Sequence, residues 1–149
     1  MEFYPKRKRE HSYAGRIRWD ETVVLIRKVR RQFKLPKVEL RKARNNHTFN
    51  QAWVDFIEYE DGEMAEAIIT LDTRHEPPTA ATVLHELAHV ITEVYFSDFQ
   101  AHGREFVGVL SWLYDYYRII PIDAFALILR RHGVKRRPIR FCSPEALCD

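Results

Sequence analysis

Two cysteines, Cys142 and Cys148, are all that the 149 residues contain, and both stand near the C-terminus. Two thiols cannot build the disulfide framework of a small secreted domain. Nor can they form a four-cysteine zinc ribbon by themselves. They are expected to be free. Long apolar runs are missing as well. The longest, Ile119 to Leu129, is interrupted by Asp123 and is too short to span a bilayer. The polar, basic stretch Met1 to Glu10 has no apolar run behind it, so it does not read as a signal peptide. Glycine and proline are scarce, with 5 and 7 residues, and no Gly/Ser linker, repeat or low-complexity tract divides the chain. A single core fits this length. The 46% hydrophobic and 30% charged content is that of a soluble globular protein. A cytoplasmic location without membrane association is the expectation.

What is present is unevenly charged. The net charge of +3 conceals 11 Lys/Arg against 4 Asp/Glu in residues 1–34, and 1 against 8 in residues 50–76. Residues 130–140 carry six basic side chains and no acidic one. Solvated surface accounts for much of this. The basic termini, Lys6 to Arg9 and Arg130 to Arg140, also suit an anionic partner such as DNA.

Hydrophobic periodicity predicts a helix capped by Asp20 and running to about Phe33, with Thr22, Leu25, Ile26, Val29 and Phe33 on one face. Leu35-Pro36 ends it. Three strands are expected over Val38–Ala43, Ala52–Tyr59 and Glu66–Asp72, the last two joined by an Asp61-Gly62 hairpin turn. Thr79 is positioned to cap the next helix, which runs to about Phe96. A helix over Gly103–Tyr117 follows, and another opens at Pro121 and closes at Gly133. Helix, strands, then helices is an α+β order. The expected sheet is small, three-stranded and mostly antiparallel. Residues 1–12 read as a disordered basic tail, 13–133 as the domain and 134–149 as an irregular basic tail.

The second expected helix holds His85-Glu86-Leu87-Ala88-His89. Residues i and i+4 share a helix face, so two imidazoles can chelate one metal ion, with the adjacent Glu as general base. On a wheel, Leu84, Leu87, Ala88, Ile91, Val94 and Tyr95 occupy one arc. His85, Glu86, His89 and Glu93 occupy another, which separates a buried face from a chemical one. Zinc suits nitrogen ligands with an open fourth position. There it polarises a carbonyl and acidifies water, whose proton Glu86 can take and return to a leaving amine.

A third ligand is required. The metzincin continuation needs Gly at position 92 and His at position 95, where this chain has Thr92 and Tyr95. Glu93 and Glu105 are candidates. His102 is better placed, because it follows a break at Ser97-Asp98 and opens the next helix, so an antiparallel return brings it back to the motif.

His85-Glu86-x-x-His89, followed thirteen residues later by His102-Gly103-x-x-Phe106, resembles the SprT-like (Spartan) zinc metallopeptidases. Similar small zincin-like metallopeptidases of bacteria and phages share the pattern. The run Ile68-Ile69-Thr70-Leu71 looks like the strand before that family's active helix, and the likeness covers roughly residues 20–118. The zinc ribbon of many members has no counterpart here. The resemblance implies a zincin-like fold, zinc at His85, His89 and His102, Glu86 as catalytic base, and a protein or peptide substrate associated with DNA. Two other functions compete. One is a nucleic-acid-binding module with a structural or vestigial zinc site; the other is a zinc hydrolase of a non-peptide bond.

The aromatic run Trp112, Tyr114, Tyr116 and Tyr117 is read as core packing, with base stacking as the alternative. Tyr95 or a tyrosine of the last helices can stabilise an oxyanion. His11, His47, His75 and His132 receive no role.

Overall fold

The structure, a computed structural model, describes residues 15–44, 52–74, 78–96 and 102–139, together with the backbone of 141–143 and 146–147. The expected N-terminal tail, His11, His47, His75 and the side chains of Cys142 and Cys148 lie outside it.

Helix α1 (Trp19–Phe33) buries the five residues that periodicity selects: Thr22, Leu25, Ile26, Val29 and Phe33. Its start differs from expectation. Arg18 is the N-cap, and its backbone N–H donates to Glu21 Oε1 at 3.0 Å. Asp20 lies inside the first turn, where a carboxylate faces the positive helix end. Lys34 closes the helix in a left-handed conformation, φ 51°, and Leu35 N–H returns to the Arg30 carbonyl.

Strands β1 (Lys37–Lys42), β2 (Ala52–Glu58) and β3 (Met64–Leu71) form one sheet in the order β1-β3-β2. β2 and β3 are the expected antiparallel hairpin, with Val54 opposite Ile69 and Gly62 at φ 86° in the turn. β1 pairs parallel to β3, Leu40 against Ile69. The sheet is therefore mixed rather than mostly antiparallel. The reason is the hairpin: β2 occupies one side of β3, so β1 joins the other side. β3 can serve two neighbours because its last five residues, Ala67–Leu71, are all buried. β2 is left as an edge.

Helix α2 (Ala80–Tyr95) starts where expected, with Thr79 Oγ1 accepting from Thr82 N–H at 3.1 Å. It is packed against α1, α3, β2 and β3. Val83, Leu84, Leu87, Ala88, Val90 and Ile91 have no solvent exposure. Two wheel positions differ from expectation. Val94, assigned to the buried arc, is 39% exposed, whereas Glu86, assigned to the chemical arc, is 7% exposed. With neighbours on several sides, α2 has no simple division between core and solvent, and its last turn emerges at a groove.

Helix α3 (Arg104–Tyr116) returns along α2, and α4 (Ile122–Arg131) packs on α3, with Phe125 5.4 Å from Tyr114. Three of the four aromatics pack inward, while Tyr116 is exposed and stacks on Trp112. Trp112 meets Phe33 edge-on at 5.4 Å, Tyr114 donates its hydroxyl to the Ala81 carbonyl, and Tyr117 donates to Gln32 Oε1. Beyond Gly133, at φ 66°, residues 134–139 take no regular structure, but Ile139 packs on the core. Strands β4 (Phe141–Ser143) and β5 (Ala146–Leu147) pair antiparallel within the stretch expected to be irregular. No helix among the described residues is long and apolar enough to cross a membrane.

Leu87 lies two residues from each histidine, on the fully buried side of α2. Leu87→Ala is expected to lower unfolding free energy by about 2–5 kcal/mol, the range for cavity formation at a rigid core site. Chemical denaturation of the metal-free protein measures it, and a loss below about 1 kcal/mol would contradict the packing described.

Candidate metal centre

His85 and His89 stand one turn apart on α2, and their rings meet at 5.1 Å. His102 comes from the turn just before α3, ahead of the Gly103 N-cap. It adopts φ 60°, a left-handed conformation that costs a residue with a Cβ about 1–2 kcal/mol. That turn brings His102 Nε2 to 3.2 Å from His85 Nε2 and 3.0 Å from His89 Nε2. Three ring nitrogens thus converge from one helix and one turn.

These distances discriminate between two explanations. A neutral imidazole presents either one N–H or one lone pair at Nε2. His102 Nε2 therefore cannot make a linear hydrogen bond with both neighbours. A cation accepts all three lone pairs. Tetrahedral ligation at Zn–N of about 2.0–2.1 Å places nitrogens about 3.3 Å apart, close to what is seen. The donor set fits zinc. Among the described residues this is the one cluster of His, Cys, Asp and Glu side chains within reach of a common ion. Neither Glu93 nor Glu105 belongs to it. Glu93 lies instead on a neighbouring groove of about 580 Å³.

The imidazoles stand on Phe106, which is 2% exposed. Its ring stacks on His89 at 4.2 Å and meets His85 and His102 edge-on at 4.9 Å. Sequence reasoning gave Phe106 no physical role. The aromatic four positions after His102 is its only sequence signal, and helical spacing does not explain the contact because His102 lies before the Gly103 N-cap of α3.

The opposite wall is β2. A cleft of about 390 Å³ is lined by Ala52, Trp53, Val54 and Phe56 with His85, Glu86, His89 and His102. Ala52, Val54 and Phe56 are alternate residues, so one strand face is turned to the site. Phe56 also lines the larger groove, so the two cavities share one wall residue. This wall was not foreseen from sequence. The alternation was visible, but not which element it would face.

Burial sets the protonation of the site. Glu86 is pushed up to about 7 because its charge has little solvent. His89 is pushed down to about 4, first by burial and then by His85 and His102. His85 is lowered by burial and then by His102. Both shifts favour the neutral imidazole, which keeps one N–H and offers its other nitrogen's lone pair, as a metal ligand must. A carboxyl group titrating near 7 has the basicity suited to general-base work.

Three of the candidate tyrosine oxyanion stabilisers have their hydroxyls engaged elsewhere, and Tyr116 is exposed, stacked on Trp112. Tyr95 donates its hydroxyl to the Phe33 carbonyl at 2.7 Å, and Tyr114 and Tyr117 make the packing bonds already described. His132, at the end of α4, is not part of the cluster. No protein-family model, curated protein or solved structure matches the chain.

Protons compete with a metal for these imidazoles, and a lowered pKa moves that competition to lower pH. Zinc affinity is expected to fall less than about tenfold between pH 7.5 and 6, where three ordinary imidazoles would lose about fiftyfold. Titration against a chelator of known affinity at both pH values measures this. A fiftyfold fall would contradict the effect of burial.

Proposed function

We propose that this chain is a zinc-dependent metallopeptidase with a zincin-like, SprT-like catalytic domain. The observation that carries the reading is the convergence of three imidazole nitrogens beside a buried carboxyl group in one open cleft. His85, His89 and His102 would hold the metal. Zinc, when bound, supplies a Lewis acid for the scissile carbonyl and acidifies the attacking water. Glu86 takes the proton from that water and delivers it to the leaving amine. Phe106 keeps the imidazoles from tilting apart. The Glu86 carboxyl begins uncharged or nearly so at low pH, and becomes an effective base as pH rises through its raised pKa.

A peptide is favoured over other hydrolysable substrates by β2. This strand pairs only with β3 among the described residues, so its outer edge offers unpaired N–H and C=O groups beside the site. An extended peptide can add there as a further strand. Its side chains would then face the cleft beside Val54 and Phe56. The DNA association implied by the family resemblance is addressed by assaying with and without DNA.

Purified protein is expected to hold about one zinc per chain, and His85→Ala/His89→Ala to hold none. Glu86→Gln is expected to keep the metal while hydrolysis of an unfolded protein substrate drops at least about 100-fold. Metal analysis and mass-spectrometric mapping of cleavage products read the two effects. Undiminished cleavage by Glu86→Gln, or full zinc in the double variant, would overturn the proposal.

A further inference from the structure

Helix α3 carries Gly108 in the middle of its buried run Phe106–Ser111. Glycine weakens a helix interior, so its presence there calls for a local reason. A Cβ at Gly108 would run into the carbonyl oxygen of Arg137 and lie 2.6 Å from Ile139 Cγ1. The segment after α4 therefore lies directly on the α3 backbone, at a depth only glycine permits.

Two further contacts tie it down. The Arg137 N–H donates to the Arg104 carbonyl at 3.0 Å. The Arg137 guanidinium sits 5.0 Å from the centroid of the Phe96 ring. Phe96 is the C-cap of α2, and Arg104 is the first residue of α3. Arg137 thus bridges the two ends of the connection that delivers His102. That connection must hold His102 in its left-handed conformation, which persists only where surroundings enforce it.

We infer that residues 134–139 form a strap that positions His102 for the metal, with Gly108 and Arg137 as positioning residues. The inference rests on the metal-site reading. The strap seats on α3 at Gly108. It clamps Phe96 to Arg104 through Arg137, and so keeps the third nitrogen beside the first two. The basic stretch after α4 then has a structural task at the site, apart from any surface charge it contributes.

Zinc affinity of the full chain tests this directly. Gly108→Ala is expected to weaken zinc binding about tenfold or more, because the strap must lift. Arg137→Ala changes an exposed side chain and leaves the core intact. It is expected to weaken binding roughly three- to fivefold, the worth of an exposed cation–π contact. Arg137→Lys is expected to restore most of that loss. In a His102→Ala background, Arg137→Ala is expected to have no further effect, because the strap acts through His102. Unchanged affinity in both single variants overturns the inference. So does an equal loss from Arg137→Ala with and without His102. If the wild-type chain binds no zinc, the metal-site reading itself fails, which is a different result from zinc bound equally by wild type and strap variants.

Discussion

Leu84, Leu87 and Ile91, none of them exposed, lock α2 between α1, α3 and the sheet. The site depends on that packing more than on any polar contact. A helix held on several sides cannot rotate, so the direction of His85 and His89 is set by the core. α3 is packed against the same helix, which makes the return of His102 a consequence of helix pairing. Thr92 and Ser111 fit the same pattern: both are buried, and each donates its hydroxyl to the carbonyl one turn back, so neither hydroxyl lacks a partner.

Against this rigid background the polar groups of the site are under tension. Three imidazole nitrogens face one another, and a carboxyl group is buried beside them. Burial drives each group whose titration is displaced toward its neutral form: Glu86 upward, His85 and His89 downward. A divalent cation relieves this arrangement by accepting the lone pairs and offsetting a carboxylate charge. Structural residues would ordinarily avoid such a cost, and perturbed groups gathered in a cleft are a mark of function.

Much of the molecule can be read from local pattern. Thr79 as a cap, the Asp61-Gly62 turn and the buried face of α1 all follow from short-range rules. The spacing of His85 and His89 makes them a pair without any tertiary information. Other features escaped the pattern. β1 runs parallel to β3 on the side that its hairpin partner β2 leaves open, a pairing between segments that no local pattern specifies. Glu86 and Val94 exchange expected environments because the wheel assumes a helix with one buried side. Tyr95 looked available from sequence, yet its hydroxyl reaches the α1 C-terminus.

The sequence by itself determined the helices, the hairpin, the i, i+4 histidines and the carboxyl group beside them, since each depends on residues within a few positions of one another. It narrowed the third ligand to His102, Glu93 or Glu105 and favoured the first. Tertiary structure alone decided that His102 Nε2 lies 3.0 Å from its partner, and that Phe106 supports all three rings. It also decided that β2 walls the cleft and that Arg137 closes over the α2–α3 connection. These are contacts between segments distant in the chain. They follow from how the elements pack around α2, which no local periodicity encodes.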